Sequence, residues 1–225
     1  EIMPSLVGSE MCIRDSYKDM FTIGTIDNRF AYKNFEGLIE FFVPLLITSL
    51  ALALTFKMKF WNIGGEGQFI MGAISSATVA LLLGNSLPSW LTLIMMAVCG
   101  AVSAGIYGLV VAFFKVKWGT NETLMTLMLN YIALYALKYF GETQAGWNFF
   151  LSGESVRPVF ATFPESAWMY TIKIGKFSLN ITLVIAILLC ALIYIYMKKT
   201  KHGYEISVVG DSQSTAKYLS LIHIS

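Results

Sequence analysis

The sequence predicts an all-α fold, a polytopic bundle of membrane-spanning helices. Of its 225 residues 56% are hydrophobic and only 13% are charged, about half the charged fraction of a soluble domain. The apolar residues run in long blocks, and residues 67–114, about 48 positions, contain no charged side chain, which is room for two spans of about 20 residues each. We expect about five spans, a broken or re-entrant segment and a short cytoplasmic helix.

The spans are predicted where an apolar block reaches membrane-spanning length. In chain order they are Leu38–Phe56, Gln68–Leu83, Leu91–Phe114, Thr123–Phe140 and Leu179–Met197. Lysines follow the first, third and fifth spans, and short loops rich in Lys and Arg stay on the cytoplasmic side. We therefore expect the ends near residues 57–59, 115–117 and 198–201 to face inward, and residues 84–90 and 142–178 to lie outside.

Small residues mark one edge of the second and third spans. Gly100, Ala104 and Gly108 recur every fourth residue, and Gly72 and Ser76 give the second span a similar edge. Such edges let helix backbones approach closely. The alternative is the general abundance of small residues in membrane helices.

A polar, glycine-rich stretch interrupts the apolar sequence between the first two spans. It contains Asn62, Gly64, Gly65, Glu66, Gly67 and Gln68. Broken backbone at membrane depth must be buried in protein or line a water-filled cavity, and such segments are typical of translocation sites. The alternative is a plain cytoplasmic turn, with Glu66 solvated and Gln68 capping the next helix.

The fourth span opens with polar residues and carries a polar face. Asn121 or Thr120 is predicted to cap the helix, and Glu122 suits its positive end. Thr126 and Asn130 share one face with Thr123, and polar groups on a membrane helix should face the bundle interior or an aqueous path. Hydrogen bonding between helices without a transport role explains the pattern nearly as well.

A compact polar element follows the fifth span. Glycines at 203 and 210 bracket it, and a short helix is predicted to begin at Asp211 or Ser212 and to run to Tyr218. It is either a docking surface for a partner or a bland amphipathic loop. The sequence suggests no metal site and no nucleophile–base set, and the net charge of +2 is too small to indicate a nucleic-acid partner.

Both ends of the chain match the translation of a widely used transposase sequencing adapter. The matches are Leu6–Ser16 and Leu219–Ser225, each in its proper orientation. We therefore expect residues 1–16 and 219–225 to be adapter-derived, and residues 17–218 to be part of a longer gene. The alternative is a native start and a native apolar tail.

Three groups of residues, Asn62–Ala73, Asn121–Glu122 with Met128–Ala133, and Gly203–Glu205 with Val209–Gly210 and Ala216–Tyr218, resemble one family. It is the membrane-spanning permease of bacterial ABC importers for nucleosides and simple sugars, and the likeness is greatest to the larger of two paired permeases. The resemblance implies that residues 17–218 are a partial permease domain of a multi-pass protein in the bacterial cell membrane, in contact with lipid. It also implies three kinds of protein partner: an extracytoplasmic lipoprotein that binds substrate, a second permease subunit and ATPase subunits.

The resemblance implies specific roles for residues of this chain. Asn62, Gly64, Gly65, Glu66, Gly67, Gln68, Asn121, Glu122, Thr126 and Asn130 look like parts of the translocation path or its gate. Gly203, Tyr204, Glu205, Gly210, Asp211, Ala216 and Lys217 look like a coupling helix that docks on the ATPase. ATP is then used by the partner, and this chain is expected to bind no cofactor and to be no enzyme.

Two other classes are weighed against this interpretation. A self-contained channel or ion-coupled carrier should place an ionisable residue in mid-span, yet Glu40 and Lys138 lie near span ends. A membrane enzyme would need a convergent acid–base or metal set. The amides and hydroxyls of the predicted path suit a neutral polar solute, without distinguishing nucleosides from pentoses.

Overall fold

A computed structural model describes residues 13, 15–17, 31–152, 157–174 and 177–211, and helices dominate it. The helices are α1 (Ala31–Lys57), α2 (Gly65–Leu83), α3 (Ser89–Trp118), α4 (Glu122–Glu142), α5 (Thr182–Lys199) and α6 (Lys201–Asp211). A 3-10 turn spans Glu165–Ala167, and the strands β1 (Thr171–Ile174) and β2 (Phe177–Asn180) form an antiparallel hairpin. The predicted all-α helical class is confirmed. The adapter origin of the two ends stays a prediction.

Four of the described helices are long and apolar enough to cross a membrane. These spans are Lys33–Lys57, Gly65–Leu83, Ser89–Trp118 and Thr182–Lys199. They correspond to the first, second, third and fifth predicted spans. Helix α4 has 21 residues but is more polar, so its crossing of the membrane stays a prediction.

The chain divides into two compact units. One contains residues 1–47 and 170–189, and the other contains residues 48–169 and 190–225. In the first unit, the predicted start of the fifth span at Leu179 was wrong, because Leu179 and Asn180 belong to β2. The backbone N–H of Ser178 donates to Glu36 Oε1 at 2.5 Å and the Asn180 amide donates to Glu40 Oε1 at 3.2 Å, so carboxylates of α1 hold the strand.

In the second unit, α2 and α3 pack closely along the predicted small-residue edges. A Cβ added to Gly72 would lie 3.2 Å from the carbonyl oxygen of Gly100, and one added to Gly100 would collide with Ser76 Oγ. The hydroxyl of Ser76 donates to the carbonyl of Met96 at 2.9 Å. The predicted close approach of two helices is therefore confirmed, and hydroxyls bonded to the facing backbone reinforce it.

In this unit, segments that are predicted to lie on the same side of the membrane contact one another. On the predicted inner side, the Lys115 ammonium lies 4.8 Å from the centre of the Phe60 ring. On the predicted outer side, the Ser166 hydroxyl donates to the Gly84 carbonyl at 2.5 Å. These contacts agree with the alternation of the predicted spans, while the assignment of one side to the cytoplasm rests on the lysine pattern.

Candidate functional site

The glycine-rich stretch is a real break between two helices. Helix α1 ends at Lys57, the backbone turns at Lys59 with a φ of 56°, and α2 begins at Gly65. The break is shorter than predicted, because residues 65–68 already form the first turn of α2. Burial of Asn62 and Gly64 places the irregular backbone against protein, while its depth in the membrane stays a prediction.

Asn62 and Gly64 shape this break. The Asn62 side chain is 5% exposed, and its Oδ1 accepts a hydrogen bond from the Gly64 N–H at 2.9 Å. A Cβ added to Gly64 would lie 3.0 Å from the Cβ of Thr126 on α4. Glycine therefore lets the break lie directly against the polar face of α4.

Asn130 connects α4 to the end of the break and to the first turn of α2. Its Oδ1 accepts from the Gly67 N–H at 2.8 Å, and its Nδ2 donates to the Ile63 carbonyl at 3.0 Å. The first N–H groups of a helix have no partner within it, and the N-cap residue Gly64 supplies no side-chain bond. Asn130 therefore caps α2 from a different helix.

The remaining residues of this α4 face agree with the predicted inward orientation. Thr126 is 1% exposed, and its hydroxyl donates to the Thr123 carbonyl at 3.1 Å. The bonds of Asn130 are hydrogen bonds between helices, which is the alternative that the sequence left open. The role of this face in transport stays a prediction.

The N-terminus of α4 is capped as predicted. The Asn121 side chain accepts from the N–H groups of Thr123 and Leu124 at 3.0 and 3.3 Å. Beside it, the Lys115 ammonium lies 2.5 Å from the Glu122 carboxylate. The hydrogen bond from Lys115 is the main reason that the pKa of Glu122 is lowered, and the Trp61 backbone contributes in the same direction. The end of α3, the break and the start of α4 therefore meet here.

Three further path residues have distinct surroundings. Gly65 packs on α1, where an added Cβ would lie 3.0 Å from Leu52 Cδ1. Glu66 is exposed, and Gln68 is half-buried beside Gly108, where an added Cβ would lie 2.9 Å from Gln68 Nε2. The alternative interpretation of this stretch had Glu66 solvated and Gln68 capping α2; Glu66 is indeed exposed, but Gln68 lies inside the first turn and packs on α3.

The described part of the predicted coupling element is a helix, α6, which covers Lys201–Asp211, where a polar connecting element was predicted. The helix predicted from Asp211 or Ser212 to Tyr218 lies, apart from Asp211, outside the described residues. A Cβ added to Gly210 would collide with the carbonyl oxygen of Lys57, and one added to Gly203 would lie 2.5 Å from the Met197 carbonyl oxygen. Both glycines therefore allow α6 to pack tightly against neighbouring helix ends.

The side chains of α6 are more accessible than its glycines. Tyr204 is 63% exposed, and the Glu205 carboxylate lies 3.1 Å from the imidazole Nδ1 of the neighbouring His202. Asp211 is also exposed. Ala216 and Lys217 lie outside the described residues, so their predicted part in coupling has no structural description.

One residue near the site was missed by the sequence analysis. The Tyr107 hydroxyl donates to the Leu129 carbonyl on α4 at 2.7 Å, and its ring lies 3.3 Å from a Cβ added to Gly67. The sequence signal that could have identified Tyr107 is its position on α3 between Ala104 and Gly108, two members of the small-residue edge. Within the described ranges, no group of His, Cys, Asp or Glu is arranged to hold a metal ion.

Comparison with known proteins places this chain in a family. Residues 34–221 match the family model described as a branched-chain amino acid transport system permease component. The nucleoside ABC transporter permease protein NupB of Lactococcus lactis is 29% identical over 181 residues, which are 79% of this chain and 49% of that protein. No solved structure matches the chain significantly.

Two further relatives point the same way. The glucose ABC transporter permease protein TsgB13 of Haloferax volcanii is 29% identical over 211 residues, covering 90% of this chain and 53% of that protein. The guanosine ABC transporter permease protein NupP of Bacillus subtilis is 24% identical over 183 residues, covering 79% and 49%. The chain thus spans about half the length of the curated relatives it matches.

The family confirms the resemblance seen in the sequence, and it is a transport component rather than a catalytic one. Together with four membrane-length apolar helices, it makes the chain an integral membrane protein. The chain belongs to the permease-component family of branched-chain amino acid transport systems.

Proposed function

We propose that this chain forms part of the translocation path of an ATP-driven importer for a nucleoside or a simple sugar. The observation that carries the proposal is the contact of Asn130 with Ile63 in the α1–α2 break and with Gly67 at the start of α2. Irregular backbone at membrane depth, packed against a polar helix face, is the usual setting of a solute path. In this proposal the path or gate consists of the break and the α4 face.

The chemistry of these residues supports a neutral polar solute. Amides, a hydroxyl and backbone groups dominate around the break, and Glu66 is a carboxylate in the first turn of α2. Such groups suit sugar and nucleoside hydroxyls. The names of the relatives, which refer to nucleosides, guanosine and glucose, support the same substrate class.

The energy source in this proposal is a separate ATPase that docks on α6. Tight packing of α6 through Gly203 and Gly210 against helix ends supports a rigid element that transmits movement. Exposed Tyr204 and Asp211, with half-buried Glu205 between them, would then contact the ATPase. An extracytoplasmic binding protein would deliver the solute, a second permease would complete the path, and the complex would lie in the bacterial cell membrane.

Uptake by vesicles containing the complete transporter tests the mechanism. Labelled guanosine and glucose are supplied outside, with or without ATP at the face that carries the lysine-rich helix ends. We expect accumulation that requires ATP and persists when ionophores collapse the ion gradients. Accumulation without ATP that ionophores abolish would instead favour a self-contained ion-coupled carrier, the second candidate.

A matched pair of variants tests the placement of the path. The hydroxyls of Thr126 and Thr78 each donate to a carbonyl of their own helix, at 3.1 and 2.8 Å, but only Thr126 contacts the break through Gly64. We expect Thr126→Val to lower the uptake rate at least about tenfold and Thr78→Val to leave it unchanged. Equal rates in the two variants would contradict the path assignment.

A further inference from the structure

Three helices of the second unit meet at Gly67. A Cβ added to Gly67 on α2 would lie 2.8 Å from Asn130 Oδ1, 3.1 Å from the Asn130 Cα and 3.3 Å from a ring carbon of Tyr107. Asn130 belongs to α4, and Tyr107 belongs to α3. Gly67 is buried, so a larger residue there would displace one of its two neighbours. We call Gly67, Tyr107 and Asn130 the three-helix junction.

Tyr107 bonds to the backbone that carries Asn130. Its hydroxyl donates to the Leu129 carbonyl at 2.7 Å, and this carbonyl belongs to the peptide group that joins Leu129 to Asn130. The distance is that of a well-formed O–H···O hydrogen bond. A helix carbonyl accepts from the N–H four residues later, but its oxygen has two lone pairs and can accept the hydroxyl as well. Tyr107 therefore adds a bond from α3 to α4 without breaking the ladder of α4.

The Asn130 side chain depends on a fixed backbone because it makes two bonds in different directions. Its Oδ1 accepts from the Gly67 N–H, and its Nδ2 donates to the Ile63 carbonyl. Hydrogen bonds weaken steeply when their angle changes, so a small rotation of α4 would weaken both. The Tyr107 hydroxyl opposes that rotation, because it ties the peptide group before Asn130 to α3, which itself packs closely on α2.

We propose that Tyr107 is the positioning residue of the Asn130 cap, its hydroxyl holding the peptide group before Asn130 so that both cap bonds form together. Helices α2, α3 and α4 then form one closed set of contacts, in which the loss of one bond loosens the others. This role is independent of the solute. Its consequence for uptake rests on the proposed function, in which the break and the α4 face line the path.

A double-mutant cycle in the full chain tests the positioning role. Hydrogen exchange of the Gly67 amide is measured in detergent micelles for Tyr107→Phe, for Asn130→Leu and for the double variant. Phe keeps the ring against Gly67 and removes only the hydroxyl, so we expect exchange about fivefold faster, which corresponds to one hydrogen bond. Because Tyr107 acts through Asn130, the double variant should exchange no faster than Asn130→Leu alone.

The matched control is Tyr131→Phe, the same change beside Asn130 in the chain but on a residue that is 55% exposed. It should leave Gly67 exchange unchanged. A general loss of stability would multiply the two effects, so a double variant about fivefold faster than Asn130→Leu would overturn the proposal. An unchanged rate in Tyr107→Phe, or an equal rise in Tyr131→Phe, would also overturn it.

Infrared spectroscopy of the original chain provides the test if Tyr107→Phe fails to fold. With an isotope label in one carbonyl at a time, Leu129 should absorb at a lower frequency than Leu127, because a second hydrogen bond weakens its C=O bond; equal frequencies would overturn the proposal. Uptake by the complete transporter separates the positioning role from the proposed function. Coupled exchange in the cycle with unchanged uptake in Tyr107→Phe would support the positioning role and contradict the path assignment.

Discussion

Replacing Asn130 by Leu is expected to destabilise the start of α2. The change preserves the approximate volume of the side chain but removes both hydrogen bonds to the break. Gly67 is buried, and an unsatisfied buried N–H costs about 1–3 kcal/mol. Ile63 is 47% exposed, so water can replace the lost donor at its carbonyl, and this second loss adds little. We therefore expect a local cost of about 2 kcal/mol.

Hydrogen exchange of the Gly67 amide, measured in detergent micelles, checks this magnitude. A cost of about 2 kcal/mol corresponds to roughly 30-fold faster exchange through local opening. The matched control is Asn121→Ala, which removes the cap of α4 at a cost of about 1 kcal/mol but does not contact Gly67. An increase below about threefold in Asn130→Leu, or one equal to that in Asn121→Ala, would refute the assigned cap.

The Asp variant at this position separates the two hydrogen bonds. Asn130→Asp retains an acceptor for the Gly67 N–H, and negative charge is favourable at a helix N-terminus. It loses the donor to the exposed Ile63 carbonyl. We expect Gly67 exchange to stay closer to that of the original chain than in Asn130→Leu, and faster exchange in the Asp variant would contradict this account.

Three further perturbations have defined outcomes. Gly100→Ala should lower the thermal midpoint because its Cβ collides with α2, whereas Gly105→Ala, with open space around it, should raise stability by about 0.5–1 kcal/mol; equal signs would contradict the packing. Gly210→Val should abolish uptake by the complete transporter while binding of the delivery protein persists, and unchanged uptake would count against coupling through α6. Lys115→Met should raise the pKa of Glu122, which is lowered in the original chain. A lowered carboxyl pKa stabilises the folded state at pH values above the ordinary pKa of Glu, and this stability is lost as the pH falls through the lowered pKa. If the thermal midpoint of Lys115→Met fell as steeply below about pH 4 as that of the original chain, this linkage would be contradicted.

Local chemistry explains why much of the fold could be predicted. Apolar blocks of membrane length identified the spans, and Asn121 was identified as a cap because its position before Glu122 and a helical run has a local physical meaning. The small edge of α3 likewise predicted a close neighbour, although only the structure identifies that neighbour as α2. Each of these features depends on residues within one or two helical turns.

The predictions that failed depend on distant partners. Leu179 is as apolar as any residue of a span, and its place in β2 comes from pairing with β1 and from Glu36, which lies more than 140 positions away in the chain. Residues 201–211 form helix α6 where the local sequence indicated a connecting segment, and the close packing of Gly210 on the end of α1 favours helix there. Tertiary contacts of this kind override local propensity.

The cap supplied by Asn130 also bears on how a gate at the break would work. Because the capping side chain belongs to α4, any movement of α2 away from α4 breaks the bond at Gly67, whereas movement of the two helices together preserves it. The cost of about 2 kcal/mol estimated above is smaller than the roughly 5.5 kcal/mol of differential binding that converts a 1:99 equilibrium into 99:1. In the proposed transporter, a ligand or partner that favours the separated state would have to supply at least this cost.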